Sequence, residues 1–206
     1  MTKNQQDVWN SIAGEWNRLR KKPMGEVADF LKDKKGKILD LGCGSGRHVI
    51  NNPDIKFYGL DFSKEMIKFA RENAKNKKIN AKFSVSNSRK LPFENNFFDA
   101  AIYIAALHCI SLEKEREKSL DELYRVLKKN SEALITVWSK NHIKLINHPK
   151  DTTILWKKNT EELQRYYYLY DKDELSELLK KTGFEVVSIN ENEKNIDVVA
   201  RKPDLF

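Results

Sequence analysis

The stretch Lys37-Ile38-Leu39-Asp40-Leu41-Gly42-Cys43-Gly44-Ser45-Gly46-Arg47 carries the clearest structural signal in the sequence. A short apolar run ends in an acid and is followed by three glycines at alternate positions. Glycine lets a backbone approach a ligand closely because no Cβ stands in the way. In an open α/β sheet, ligands bind at the carboxyl ends of the strands. The stretch therefore predicts a strand that leads into a binding loop for a nucleotide-like ligand.

The spacing of the glycines narrows the class of ligand. A dinucleotide fold needs Gly-x-Gly-x-x-Gly, but here the third glycine comes one residue early and Arg47 holds the last glycine's place. An acid, Asp61, ends the next apolar run, where its two oxygens can accept from both hydroxyls of a ribose. The alternative interpretation is that the glycines only make a tight strand–helix turn.

Apolar runs of strand length alternate with helical patterns along the rest of the chain. A helix is predicted after Ser63, another over residues 112–128, and a third after the capping box that begins at Asp171. The predicted strands are residues 38–41, 57–60, 81–85, 98–104, 133–138, 184–189 and 196–200. This order predicts a doubly wound α/β fold with a seven-stranded, mostly parallel sheet. The last two strands are expected to form a hairpin that adds an antiparallel edge strand.

Two segments stand outside the alternation, within a chain whose 206 residues fit one domain, 1–206. Residues 1–36 are predicted to form an N-terminal helical cap. Residues 139–170 are predicted to be an insertion over the edge of the sheet that carries the site. Trp9 and Trp16 lie one heptad apart, which indicates that they attach the N-terminal helix to the sheet rather than touch a ligand.

Composition limits the class of protein. No apolar run approaches the roughly 20 residues of a membrane span, and the first residues do not resemble a secretory signal. The two cysteines form no Cys-x-x-Cys, so neither a disulfide framework nor a metal site is expected, and a cytoplasmic location is the simplest. The net charge of +8 favours a polyanionic partner such as RNA, and no membrane partner is expected; a coding bias toward lysine is the alternative.

The glycine motif, Asp61 and the segment 87–99 together resemble the class I S-adenosylmethionine-dependent methyltransferases, over residues 38–200. The resemblance implies a Rossmann-like fold, S-adenosylmethionine as cofactor and S-adenosylhomocysteine as product. The family usually has Asp where this chain has Asn87, so the acceptor for the adenine amino group loses its charge. The implied cofactor-binding residues are Asp40, Gly42, Gly44, Gly46, Asp61, Phe62, Asn87, Ser88 and Ala105.

Further motifs resemble a narrower family, the tRNA methyltransferases that esterify a carboxymethyl group on the wobble uridine. The matching residues are Arg20, Lys22, Pro23, His108, Arg165, Tyr166 and Tyr167. The chain departs from that family at Met24, Cys109 and Tyr168, where Trp, His and His are usual. The resemblance implies that the tRNA anticodon loop is the substrate. It also implies a small zinc-binding activator subunit as a partner.

The acceptor chemistry suggests which residues act. A carboxylate is already ionised at pH 7, so methyl transfer needs orienting cations rather than a strong base. Arg20 and Arg165 are therefore predicted as catalytic groups, because a guanidinium can hold a carboxylate by two bonds, and His108 joins them. Lys22, Trp138, Tyr166 and Tyr167 are predicted to bind the substrate.

Purely structural roles are the alternative interpretation for several of these side chains, and two other functions are alternatives for the chain. His108 could cap a strand end, Trp138 could belong to the core, and the tyrosines could be ordinary packing. Arg165 and Tyr166 could contact tRNA phosphate instead of the acceptor. A small-molecule methyltransferase of the same fold is one functional alternative. A cofactor-binding regulatory protein without catalysis is the other.

Overall fold

The computed structural model describes residues 4–158 and 161–204, which form five α-helices and nine strands. The helices are α1 (Gln5–Leu19), α2 (Gly25–Leu31), α3 (Lys64–Asn76), α4 (Glu113–Val126) and α5 (Lys172–Lys181). The strands are β1 (Gly36–Leu41), β2 (Ile55–Asp61), β3 (Ala81–Val85), β4 (Phe98–Ile104), β5 (Leu127–Trp138), β6 (Asp151–Lys158), β7 (Glu161–Tyr168), β8 (Glu185–Glu191) and β9 (Asn195–Arg201). A short 3-10 turn spans Leu107–Cys109. Among these helices, none is both long and apolar enough to cross a bilayer.

Seven strands form one sheet in the order β3-β2-β1-β4-β5-β9-β8. The pairs among β1 to β5 are parallel, whereas β9 pairs antiparallel with both β5 and β8. The predicted doubly wound, mostly parallel sheet is therefore confirmed. Both faces are covered by apolar clusters, since Leu39 packs on one face and its neighbour Ile38 on the other.

The antiparallel strand does not lie at the edge of the sheet, contrary to the sequence prediction. β9 inserts between β5 and β8, and the edge is β8. Burial explains this order. Ile196, Val198 and Ala200 are completely buried at alternate positions of β9. β8 has no fully buried residue and exposes polar side chains, as an edge strand should.

The junction between α4 and β5 also differs from the prediction. The helix ends at Val126, and the strand begins directly at Leu127 rather than at residue 133. Leu127 is fully buried and pairs with Phe98. The ladder then shifts register before Glu132 pairs with Ala100, and Asn130 adopts a positive φ of 62° in the bulge. The exposed residues of the bulge hid this early start from a periodicity argument.

The insertion folds into a separate two-stranded antiparallel sheet, β6–β7. Its inner face packs on α1: Leu163 and Tyr167 join Val8 and Ile12 in one buried cluster. The side-chain amide of Gln5 bonds to the backbone of β7, donating to Gln164 O at 3.1 Å and accepting from Tyr166 N at 3.0 Å. The hairpin and α1 therefore form one layer above the carboxyl ends of the parallel strands.

Candidate active site

A cavity of about 250 Å³ lies at the carboxyl ends of β1, β2 and β4. Among its lining residues are Gly42, Gly44, Asp61, Phe62, Asn87, Ser88 and Ala105. All of these were predicted to bind the cofactor. The other two predicted positions, Asp40 and Gly46, lie outside the lining. Strand ends from three neighbouring strands thus meet where the glycine loop begins, as the topology requires.

The three glycines make room for different neighbours. A Cβ on Gly42 would lie 2.3 Å from Ala106 Cβ, and a Cβ on Gly46 would lie 3.2 Å from Ala70 Cβ. These two positions allow close packing within the protein. A Cβ on Gly44 would meet only Trp16 Nε1, at an ordinary contact distance of 3.7 Å. Gly44 lines the cavity and has a φ of +52°, a backbone conformation that favours glycine.

Asp61 ends β2 and ties the glycine loop to the next helix. Its Oδ2 accepts from Gly44 N at 2.9 Å, and its Oδ1 accepts from Ser63 N at 2.8 Å. Burial raises the pKa of this carboxyl to about 6, against the opposing effect of those backbone donors. Each carboxylate oxygen has a further lone pair. Asp61 can therefore accept from ligand hydroxyls without losing its own contacts.

Asp40 lies beneath the loop and is 1% exposed. Its Oδ2 has no hydrogen-bond partner in the described part of the chain. Burial, and secondarily the charge of Asp61, raise the pKa of this carboxyl to about 7, while Arg47 opposes the shift. A buried acceptor without a donor is costly, so the atom fits a cationic or donating group of a ligand.

Asn87 is exposed at the opposite end of the cavity. Its Oδ1 accepts from Arg89 N at 3.0 Å and from Arg89 Nε at 2.8 Å. The guanidinium of Arg89 also forms an ion pair with Glu115, and both of these residues line the cavity. The amide oxygen predicted to receive the adenine amino group is thus already bonded to Arg89.

A second group of predicted residues lies beside the cavity rather than in its lining. Tyr167 stacks on Trp138 with ring centroids 4.1 Å apart and planes 22° apart. Arg165 is 7% exposed, donates from Nη1 to the Tyr167 hydroxyl at 2.7 Å, and lies over Trp156 at 4.9 Å. The His108 ring lies 5.4 Å from that of Tyr167. Arg165, Tyr167 and His108 therefore form one connected unit.

His108 is held as a neutral hydrogen-bond donor. Its Nδ1 accepts from Trp138 N at 2.8 Å, and burial lowers the pKa of the ring to about 3. A neutral ring that accepts at Nδ1 carries its proton on Nε2, an assignment inferred from the bonding network. That Nε2 has no partner in the described structure. The ring can donate to an acceptor, but it offers no lone pair for a base.

Cys109 connects this unit to the cavity. It lines the cavity, burial raises the pKa of its thiol, and the positive charge of Arg165 opposes that rise. Burial likewise raises the pKa of Tyr167, and the charges of Arg165 and Arg20 both oppose it. Arg20 lies over the Trp16 ring at 4.9 Å. Both arginines therefore act electrostatically on the same hydroxyl.

The remaining predicted substrate residues are placed less centrally. Lys22 is exposed. Tyr166 lines a neighbouring open groove, where its hydroxyl bonds to Asp151 and to Ser111 O at 3.3 Å. Trp138 is half-buried behind Tyr167. Nothing places Lys22 or Tyr166 in the cavity lining itself.

Several lining residues were not found by the sequence reasoning. Trp9 and Trp16 pack against α3 and the hairpin rather than the sheet, and both also line the cavity. Arg47 and Cys109 line it as well. Of these residues, only Arg47 could have been identified from the sequence, because it is a cation that directly follows the glycine motif. In the described residues, no cluster of His, Cys, Asp and Glu could hold a metal ion.

Comparison with known proteins identifies the family of the chain. A family model described as "Methyltransferase domain" matches residues 32–198. The tRNA (carboxymethyluridine(34)-5-O)-methyltransferase of Arabidopsis thaliana is 35% identical over 152 residues, covering 73% of this chain and 34% of its own. The protein of the same name from Schizosaccharomyces pombe is 29% identical over 222 residues, covering 95% of this chain and 94% of its own.

The chain spans about a third of the Arabidopsis relative and a fifth of a similarly named Xenopus tropicalis protein. Among solved structures, a SAM-dependent methyltransferase from Methanosarcina mazei has a TM-score of 0.72 at 24% identity, covering 88% of this chain and 99% of that chain. A Haloferax volcanii complex of a putative methyltransferase with the Trm112 methyltransferase activator gives 0.73 at 16% identity, covering 98% and 100%. These two show the shared fold. With the family model covering most of its length, the chain belongs to the methyltransferase-domain family.

Proposed function

We propose that the chain is an S-adenosylmethionine-dependent methyltransferase that esterifies the carboxylate of 5-carboxymethyluridine at the wobble position of tRNA. The main support for this proposal is the environment of Arg165. Its guanidinium is 7% exposed, bonds to the Tyr167 hydroxyl, and has no carboxylate partner within the described residues. Its Nε is buried without any acceptor. A buried cation without a counter-ion is costly, so the site fits an anionic acceptor.

The relatives support the class of acceptor. Proteins from Arabidopsis thaliana and Schizosaccharomyces pombe that match this chain are named for methylation of carboxymethyluridine 34 in tRNA. Their reaction forms an ester on a carboxylate, which is the group that Arg165 can hold by two parallel bonds. The net charge of +8 is consistent with a polyanionic substrate.

The residues of the cavity fit the cofactor. Gly44 lines the cavity without a side chain, and Asp61 offers carboxylate oxygens at the end of β2, as a ribose requires. The unpartnered Oδ2 of Asp40 suits an ammonium group. When bound, S-adenosylmethionine supplies an electrophilic methyl carbon on its sulfonium. The protein then has to bind, orient and shield the reactants.

Orientation of the acceptor falls to the unit beside Cys109. Arg165 holds the carboxylate, Tyr167 fixes the guanidinium through its hydroxyl, and His108 donates from Nε2. None of these groups removes a proton, because the acceptor is already ionised at neutral pH. Arg20, on the open side, adds positive charge, and the half-buried ring of Trp138 offers aromatic surface to an unpaired base. The layer of α1 and the hairpin keeps water from the reaction.

Three further proposals concern the setting of this activity. The anticodon loop is the part of tRNA that binds, since the wobble base lies there. A small zinc-binding activator subunit is a partner; the Haloferax volcanii methyltransferase complex with its activator, a protein of the same fold, supports this. The chain works as one domain in the cytoplasm, where its two free cysteines stay reduced.

Methyl transfer to defined tRNA tests the proposal. The protein, alone and with the activator subunit, is incubated with labelled S-adenosylmethionine and tRNA whose wobble uridine carries the carboxymethyl group. Mass spectrometry of the nucleosides should show the methyl ester, which mild base removes. The same tRNA with unmodified uridine should stay unlabelled. Transfer to free carboxymethyluridine but not to tRNA would indicate a small-molecule enzyme. Cofactor binding without any transfer would indicate a regulatory protein.

A further inference from the structure

Residues 18–22, which we call the basic strap, carry four cations in five positions: Arg18, Arg20, Lys21 and Lys22 around Leu19. The acid-free stretch around them runs from Trp16 to Gly25. All four cations are exposed. The strap begins in the last turn of α1 and continues into the link to α2. Such a density of charge needs either a local counter-charge or an anionic partner.

The strap lies over the glycine loop. Just before it, Asn17 accepts from Asn73 Nδ2 at 2.8 Å, and that amide also donates to Ser45 O at 2.9 Å. Just after it, the sulfur of Met24 accepts from Arg47 Nη2 at 3.3 Å. Both ends of the strap are therefore attached to the loop that lines the cavity. The lining residues Trp16 and Arg47 lie beside the two ends of the strap, so the strap borders the site.

Local counter-charges are missing at the strap within the described residues. Some exposed cations elsewhere pair with carboxylates, as Lys181 does with Glu117 at 2.6 Å and Lys129 with Asp204 at 2.7 Å. No ion pair involves a strap residue across residues 4–158 and 161–204. Arg20 lies over the Trp16 ring, within the electrostatic range of Arg47. The other three cations are left for a partner outside the chain.

We infer that Arg18, Lys21 and Lys22 bind the backbone phosphates that flank the target base, while the base itself enters beside Arg165. The inference rests on the proposed function and adds the docking surface to it. Phosphates on either side of an extruded base must lie at the rim of its pocket, which is where these cations are. Arg20 stands between the two groups and separates phosphate binding outside from carboxylate binding inside. The strap positions RNA and takes no part in methyl transfer.

Salt dependence of RNA binding tests the strap. The variant Arg18→Gln/Lys21→Gln/Lys22→Gln is compared with Lys172→Gln/Lys180→Gln/Lys181→Gln, which removes the same charge from α5. Those three lysines are exposed, and α5 leads into β8, the edge strand at the other side of the sheet from β3. The probe is an isolated anticodon stem-loop RNA titrated at 50 and 200 mM salt. Cofactor affinity, measured by calorimetry, should stay unchanged in both variants and reports that they fold.

Binding becomes weaker as salt rises, so the slope of log K against log salt is negative. Loss of three phosphate contacts should reduce the magnitude of that slope by about 2. Across the fourfold change in salt, wild type should then lose roughly 16-fold more affinity than the strap variant loses. The control variant should keep the wild-type slope. Equal slopes in all three proteins would overturn the inference, and so would equal losses in both variants. Loss of binding to anionic phospholipid vesicles with RNA binding intact would overturn it in favour of a membrane surface.

The two proposals fail in distinguishable ways. If wild type binds the stem-loop with the expected slope but esterifies no tRNA, the proposed function is wrong and the strap stands. If wild type esterifies tRNA and the strap variant does so with an unchanged KM for tRNA, the strap is wrong and the function stands. A raised KM with an unchanged kcat is the result expected for a surface that only docks the substrate.

Discussion

Replacing Asp40 with asparagine should stabilise the cofactor-free protein more at high pH than at low pH. The carboxyl is buried, has an unpartnered oxygen, and burial raises its pKa from an ordinary 3.8 to about 7. The folded state therefore holds a proton that the unfolded state releases between about pH 4 and pH 7. Wild type loses stability as pH rises through that window, and asparagine has no such loss.

The magnitude follows from the two pKa values. At pH 8, keeping the carboxyl in the fold costs about 4 kcal/mol relative to the unfolded chain; at pH 5 it costs about 1.5 kcal/mol. A buried amide donor without a partner has its own cost, about 1–3 kcal/mol, but that cost is the same at both pH values. The benefit of Asp40→Asn should therefore grow by about 2.5 kcal/mol between pH 5 and pH 8.

Urea unfolding of cofactor-free wild type and variant at both pH values measures this difference. Asp54→Asn is the matched control, because Asp54 is exposed and pairs only at the surface with Lys35 at 3.6 Å. Its effect should change with pH by no more than a few tenths of a kcal/mol. An Asp40→Asn benefit that is equal at pH 5 and pH 8 would refute the assignment of Asp40 as a destabilising buried acid. Cofactor affinity should fall in the same variant, since the acceptor for the ligand's cation is neutralised.

Three further substitutions separate parts of the site. Asp61→Ala should weaken S-adenosylmethionine binding at least tenfold, because charged hydrogen bonds are worth about 1.5–3 kcal/mol each; calorimetry that shows wild-type affinity would remove Asp61 from the site. In wild type, affinity should also drop below about pH 6, where Asp61 becomes protonated. Arg165→Lys should abolish most transfer to tRNA with cofactor affinity intact, since an ammonium cannot make the bidentate contact; transfer at the wild-type rate would refute the clamp. Arg47→Gln should weaken binding of S-adenosylmethionine, whose carboxylate the guanidinium can contact, but not binding of 5′-methylthioadenosine, which lacks that carboxylate. Equal losses of affinity for both ligands would show that Arg47 acts only through the glycine loop.

The parallel core was predictable because each of its strands has a clear local sequence pattern. β1, β2 and β4 are short apolar runs bounded by polar turns, and the carboxyl end of each carries a residue of the cofactor motif. Asp61 and Gly44 could therefore be placed together from the sequence alone. The interior position of β9 could not be deduced, because a period of two reveals burial but not which neighbours a strand takes. Its order depends on where α5 and β8 return.

Within the layer above the site, α1 was predicted as part of a helical cap, but the β6–β7 hairpin was predicted only as an insertion. Thr152, Ile154 and Trp156 point inward at alternate positions, but one of them is polar and lysines follow, so the strand pattern is weak. Trp9 and Cys109 join the lining only because α1 and the 3-10 turn fold over the loop, which is a tertiary effect. One signal could have been used: Arg165 and Tyr167 are two residues apart, so in a strand they share a face.

The bond between Gln5 and the backbone of β7 has a consequence for synthesis of the chain. It joins groups 159 and 161 residues apart. On the ribosome, α1 emerges first, and its partner α3 follows soon afterwards, so the floor of the site can assemble early. The apolar side of α1 that Leu163 and Tyr167 will cover stays bare until the hairpin leaves the exit tunnel. A nascent chain can therefore complete its cofactor loop well before it can hold an acceptor.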